Sequence, residues 1–277
     1  MDSTTATANL PAAEAKITTT TPLIPPKPVA LANPKVSDRD FLTHLEAYLS
    51  KRDGVDKLLK ISRYAAKIIL SSSILPETLI LTTRLKSFES SVGLSRKAFR
   101  LGKFVQDVNS LRRGGGSSSH FHSRKELILS ILAYGGEGIY YFVEQFVWLS
   151  KSGLIDGRHA KRLGKISAWA EFAGYVGSIS LKFRDLNELN GDMAALSSTI
   201  EIAHSRGVRC GEEEERMEKL KAKMVLKKLS IVQDFADGFM ALADIRDGKG
   251  KLSSPLFLSC AGLLSAIIST QKNWAAC

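Results

Sequence analysis

The residues whose types and spacing can do chemistry lie between positions 94 and 108. Leu94, Ala98, Leu101, Val105 and Val108 recur at spacings of four, three, four and three. Projected at 100° per residue they fall within roughly 80° of one another, the stripe of an amphipathic helix. Arg96, Arg100 and Lys103 cluster opposite, and Lys97 flanks the stripe. The chemistry on offer is surface binding. Each larger apolar side chain gains about 1–2 kcal/mol on leaving water, and each cation adds about 1 kcal/mol near an anionic leaflet. Together they suit reversible seating on an anionic phospholipid membrane. A soluble helix that packs Leu94, Leu101 and Val105 into a core fits the same pattern equally well.

Catalytic signatures are missing. The Gly-Lys pairs beginning at positions 102, 164, 248 and 250 lack the Ser or Thr that completes a phosphate-binding loop. G-x-S-x-G, H-E-x-x-H, C-x-x-C and G-x-G-x-x-G are absent as well. His120 and His122 stand in a Gly/Ser run with no third metal ligand nearby and read as part of a solvated loop. Asp244, Asp247 and Gly248 lack the spacing and closing Glu of a calcium loop, and read as a helix stop. The sequence thus predicts no catalytic residue, no metal and no cofactor, and the chain is not expected to be an enzyme. Nucleic acid is not an expected partner either, because neither a reader motif nor basic residues interleaved with aromatics are evident.

The elements that must position the stripe are helices. Between Pro76 and Pro255 the 277-residue chain has no proline, and its apolar residues recur mostly three and four apart. Charge is uneven: of a net +11, residues 37–113 hold +7, residues 1–36 hold +1 and residues 114–277 hold +3. Such a block serves nucleic acid, an acidic protein face or an anionic membrane, and its apolar-backed faces favour the membrane. Residues 1–36 are rich in Thr, Ala and Pro and have no aromatic. They read as a disordered tail that cannot bury enough apolar surface to offset its ordering entropy. Residues 114–124, which open on GGGSSS, read as a linker. Three cysteines without paired spacing argue against a disulfide-stapled secreted domain, and MDSTTATANLPAAEAK does not read as a signal peptide.

Within the basic region 37–113, a helix capped by Ser37 is expected to bury Phe41, Leu45, Tyr48 and Leu49, and Gly54 to end it or mark a joint. The segment 55–72 follows, with Lys60, Arg63 and Lys67 on its polar face. Residues 125–277 read as a hydrophobic helical membrane region. The segment 127–149 holds Glu137 and Glu144 one heptad apart. A charge at the centre of a membrane span costs roughly 2.5–3.5 kcal/mol, so this segment reads as a packed helix before a true span. The segment 166–183 carries small residues, Gly174 and Gly177 among them, that suit close helix contact. Glu212–Glu215 opens a long helix that Asp247-Gly248-Lys249-Gly250 stops. Residues 255–271 carry no charge, start with Ser254 as N-cap and Pro255 at N1, and are the expected C-terminal membrane span. Ser259, Gly262 and Ala266 share one face of it. The expected fold is all-α: a multi-helix, membrane-associated bundle with amphipathic helices, a C-terminal span and a disordered N-terminal tail.

Unbroken blocks carry a family resemblance. SSVGLSRKAFRLGKFVQDVNSL (90–111), DGVDKLLKISRYAAKII (53–69), FVEQFVWLSKSGLI (142–155), LGKISAWAE (163–171) and the segment 229–270 occur in order. Together they resemble the peroxisomal biogenesis factor 11 (peroxin-11) family, and its plant members most. The resemblance covers roughly residues 38–274. It implies a peroxisomal membrane protein with cytosolic termini that elongates and remodels the membrane and promotes peroxisome proliferation and division. It also implies a homo-oligomer that recruits a dynamin-related GTPase and a fission-1 adaptor. On this reading Leu94, Ala98, Leu101, Val105 and Val108 wedge into one leaflet while Arg96, Lys97, Arg100 and Lys103 hold lipid phosphates. Gly174, Gly177, Ser259, Gly262 and Ala266 are the candidates for packing between helices or copies. Two alternatives stand beside it. One is a small-metabolite pore with Glu137, Glu144 and Glu171 along a wet path; the other is a soluble helical scaffold or adaptor.

Overall fold

A computed structural model of the chain describes residues 40–116, 124–207, 209–250 and 253–277, apart from 73, 75 and 77. The expected tail over 1–36, the Ser37 cap, His120, His122 and most of the 114–124 linker lie outside the described residues. Among the described residues there are nine α-helices and no strand, which bears out the all-α expectation. They are α1 (Phe41–Leu49), α2 (Arg52–Ser71), α3 (Ile80–Phe99), α4 (Phe104–Gly116), α5 (Arg124–Ser130), α6 (Gly136–Lys151), α7 (Ala160–Ser205), α8 (Gly211–Ile245) and α9 (Pro255–Ala275). A π-helical turn, Ile131–Gly135, joins α5 to α6 without a break in helical backbone.

Helix ends follow local chemistry. Glu212, Glu213 and Glu214 fill the first turn of α8, where carboxylates complement the helix dipole. Its stop is where the sequence puts it: Asp247 and Gly248 adopt φ of 51° and 74°, which an α-helix cannot continue through. Elsewhere the boundaries differ from expectation. The stripe from Leu94 to Val108 is not one helix, because Arg100–Lys103 form a turn in which Gly102 takes φ 72°. Leu94 and Ala98 belong to α3, Val105 and Val108 to α4, and Leu101 to the turn. Gly54 does not end α1 but lies in the first turn of α2, just past the joint between the two helices, and its missing side chain lets the Tyr48 carbonyl press against the helix. Of the four residues expected to be buried by α1, only Tyr48 is buried; Phe41 and Leu49 are exposed.

Six helices close into a ring in the order α2–α3–α6–α7–α8–α9 and back to α2. Each seam has identifiable contacts. Asp56 of α2 accepts from Arg96 of α3 (3.1 Å), and Glu144 of α6 takes Lys97 and Arg100 from the neighbourhood of α3. Gly136 of α6 lies against Gly174 of α7, and Ser178 and Lys182 of α7 donate to Asp234 of α8. Asp237 of α8 accepts from Ser265 of α9 (2.7 Å), and the Tyr64 ring of α2 lies over Gly262 of α9.

The ring inverts the usual distribution of polarity. Asp56, Lys60, Arg96, Glu144, Asp234 and Asp237 are buried, while Ile128, Ile139, Phe142, Trp169, Phe183, Val232, Phe235 and Ile267 are exposed. Large apolar side chains exposed in such number suit contact with lipid or with another protein. The inversion also corrects the reading of the C-terminal helix. No helix among the described residues is long and apolar enough to cross a membrane. Although α9 runs for 21 residues, its inner face carries Ser259, Ser265 and Ser269, all buried. Ser265 bridges a buried ion pair, so the lack of charge over 255–271 marks a face that receives charges from neighbours.

Candidate functional site

Inside the ring lies a cavity of about 670 Å³ lined by twelve Lys or Arg and eight Asp or Glu side chains, with Tyr64, Tyr140, Tyr141 and Tyr175 among them. Three of its basic residues, Lys57, Arg96 and Arg100, gather on Asp56, which is buried behind the lining. Arg96 Nε donates to Asp56 Oδ1 at 3.1 Å, Arg100 Nε stands 3.5 Å from the same oxygen, and Lys57 Nζ lies 3.5 Å from Oδ2. Burial pushes the Asp56 carboxyl up, but Arg100 and Arg96 outweigh it and hold it well below the usual carboxylate range. Arg100 reaches on through Nη1 to the Tyr140 hydroxyl (2.8 Å) and to Glu144 Oε2 (3.4 Å). Glu144 is held below its ordinary value against burial, by Arg100 first and Lys97 next.

On the far side, Lys60 Nζ donates to Asp237 Oδ1 (2.8 Å) and to Ser265 Oγ (2.6 Å), and Ser265 Oγ in turn donates to Asp237 Oδ2. All three residues are buried. Three helices therefore meet at one closed set of charge-assisted hydrogen bonds. Glu171 is different. Burial, and then the nearby Glu144, raise its carboxyl to about 8, so it is protonated at neutral pH. Asp107 is likewise raised to about 7, by burial and then by Glu137.

Each residue expected from the sequence has a definite place. Arg96, only 5% exposed, points into the ring with Lys97, Arg100 and Lys103; Lys103 pairs with Asp53 at 3.4 Å. The exposed basic face expected for these four is therefore corrected: Asp53, Asp56 and Glu144 draw it inward. The apolar stripe turns outward, with Leu101, Val105 and Val108 at 52%, 48% and 54% exposure, while Leu94 and Ala98 are half-buried. A β-carbon on Gly174 would come within 3.0 Å of Glu137 N, and one on Gly177 within 2.5 Å of Ala133 N. Ser259 and Ala266 are buried, and Tyr64 covers Gly262. The close contacts of Gly174, Gly177 and Gly262 are with α6, the π-helical turn and α2 respectively.

The sequence reading missed Asp56, Lys57, Lys60, Asp234 and Asp237 as parts of the same site. A signal existed: Asp234, Asp237 and Asp244 recur at three and seven residues within a largely apolar run. That spacing puts all three on one helical face.

The family model for Peroxisomal biogenesis factor 11 (PEX11) matches residues 42–274, nearly all of the described body. The chain belongs to the peroxisomal biogenesis factor 11 family. It is similar to Peroxisomal membrane protein 11A of Arabidopsis thaliana, 65% identical over 250 residues that cover 90% of this chain and 98% of that protein. Similarity extends to Peroxisomal membrane protein 11-3 of Oryza sativa subsp. japonica, 53% identical over 86% of this chain and 91% of the relative. Peroxisomal membrane protein 11-2 of the same subspecies is 47% identical over 89% and 93%. No solved structure matches the chain. The resemblance to the family and to its plant members is thereby established. The relatives in this peroxisome biogenesis family are peroxisomal membrane proteins.

Proposed function

We propose that this chain acts in the peroxisomal membrane, where it elongates and remodels the bilayer and so promotes peroxisome proliferation and division. The observation that carries the reading is the apolar outer wall of a ring whose charges face inward. Such a wall is stable against acyl chains or against another copy, since apolar side chains gain free energy wherever they leave water. Leu101, Val105 and Val108 project from the α3–α4 turn and α4, where they can enter one leaflet. Area added to one leaflet bends the membrane. Self-association along the wall, and recruitment of a dynamin-related GTPase and a fission-1 adaptor, complete the reading as the family resemblance implies it.

The test uses full-length protein and anionic liposomes. Wild-type protein is expected to draw tubules visible by electron microscopy. The triple variant Leu101→Asp, Val105→Asp, Val108→Asp is expected to keep its helical circular dichroism and lose the tubules. Unchanged tubulation would remove the wedge from the proposal. A small-solute path is a second reading, favoured by the place of Glu137, Glu144 and Glu171 on the cavity lining. Planar-bilayer conductance that changes in Glu137→Gln would support it.

A further inference from the structure

The basic side of the cavity holds more positive charge than its carboxylates balance. Lys60 is satisfied by Asp237 and Ser265, Lys97 by Glu144, and Lys103 by Asp53. What remains is a knot of Lys57, Arg96 and Arg100 around the single carboxylate of Asp56, with Arg100 also sharing Glu144. Arg96 is more than nine-tenths buried, and its Nη2 has no hydrogen-bond partner among the described residues although the side chain lines the cavity. A buried donor left unmatched costs about 1–3 kcal/mol, more for a charged group. We propose that this corner of the cavity, between Lys57, Arg96, Arg100 and Tyr140, is a binding site for a compact dianion of the phosphate class, either free phosphate or a phosphate monoester group.

The chemistry selects that class in three ways. Two guanidinium groups present planar forks that match tetrahedral oxyanions, and Lys57 adds a point charge. Their separation is small: all three cations reach one carboxylate within 3.5 Å, so they suit charge concentrated on one phosphorus centre over the two separated ends of a dicarboxylate. The cavity volume of about 670 Å³ also falls in the range of small-ligand sites, about 300–1,000 Å³. Electrostatics agree. Burial, and then the repulsion of Lys103, Arg100 and Lys60, depress the Lys57 ammonium to about 7 despite Asp56 beside it, and a bound dianion would restore its charge. Protonation of Glu171 keeps one more negative charge away from the site. This binding is separate from bilayer bending, because Leu101, Val105 and Val108 face outward.

The experiment titrates full-length protein in detergent at pH 7 with inorganic phosphate, against chloride at matched ionic strength. Calorimetry and the thermal unfolding midpoint are read together. Wild type is expected to give a one-site isotherm and a raised midpoint, with succinate binding more weakly. In Lys57→Gln the ligand-free midpoint is expected to stay level or rise, since repulsion with Lys60, Arg100 and Lys103 is relieved. Its phosphate affinity should fall about tenfold, the equivalent of one charge-assisted hydrogen bond. Lys57→Arg should recover most of that loss. Reconstitution in phosphatidylcholine vesicles with or without phosphatidic acid assigns the source. A phosphate isotherm that persists in both marks a free phosphate group, and one abolished by phosphatidic acid marks a lipid headgroup; both uphold the site. Heat no greater than for chloride, or an unchanged affinity in a folded Lys57→Gln, would overturn it.

Discussion

Two seams of the ring hold together by opposite means. Where α2, α3 and α6 meet, the contact is a network of charges, with Arg96 and Arg100 on Asp56 and Arg100 continuing to Glu144. Where α6 meets α7, it is an absence of side chains. Gly136 and Gly174 bring the two backbones so close that a β-carbon on Gly136 would sit 2.6 Å from Gly174 N and 2.8 Å from Ala170 O. The charged seam is directional and strong only while its carboxylates stay, because the cations around them have given up their hydration. The glycine seam has no such dependence and tolerates no added volume. One fold thus uses electrostatics to close the side that surrounds the basic corner and steric fit to fix the seam next to it.

The largest expected effect comes from breaking the charged seam at its centre. Asp56→Ala leaves Lys57, Arg96 and Arg100 around an empty position, and removal of one partner from a buried ion pair typically costs about 3–5 kcal/mol. Chemical unfolding in detergent micelles is expected to show a destabilisation of that size. Asp56→Asn should recover only part of it, since the amide oxygen accepts but carries no charge. A loss under about 1 kcal/mol would mean that solvent already screens the knot, as it does exposed ion pairs.

Next in size is the glycine seam. Gly136→Ala forces backbone against backbone, with no flexible side chain to yield, so the helices must separate. Overpacking of a tight core costs about 1–3 kcal/mol. The distinguishing feature is pH: the loss in Gly136→Ala should be the same at pH 5 and pH 9, whereas the charged seam should respond. Gly164→Ala, with open space around it, is the matched control and should not destabilise.

These seams also explain what was legible in the sequence. Helix existence and the stop at Asp247-Gly248 could be read because they depend on neighbours in the chain. So could the tight contacts of Gly174 and Gly177, since close packing of small residues is a local property of a helix face. The orientation of the helices could not. A stripe of Leu94, Leu101 and Val105 opposite Arg96 and Arg100 is the same pattern whether the apolar side meets a protein core or faces outward. Which side turns in is decided by Asp56, Glu144 and Asp237, whose partners in the ring lie 40, 44 and 177 residues away. The charge-free run of α9 misled for the same reason. Its Ser265 looks neutral in sequence and becomes a polar partner only once Lys60 and Asp237 reach it.

The smallest effect sharpens the comparison within the charged interior, where Asp56 is kept ionised and Glu171 is kept protonated. Burial dominates at Glu171 and Glu144 adds to it, so the carboxyl rises from 4.5 to about 8. The sign follows from linkage. Between those two values the folded chain holds a proton that the unfolded chain has lost, so stability falls as pH rises through that window and levels off above about 8. Glu171→Gln resembles the protonated acid and has no titration to lose. Unfolding midpoints of wild type and Glu171→Gln should therefore nearly coincide at pH 5 and diverge progressively to pH 9, with the variant the more stable. A constant gap across that range would show that Glu171 reaches solvent and titrates as an ordinary carboxylate. In that case the contrast between the two carboxylates would rest on Asp56 alone.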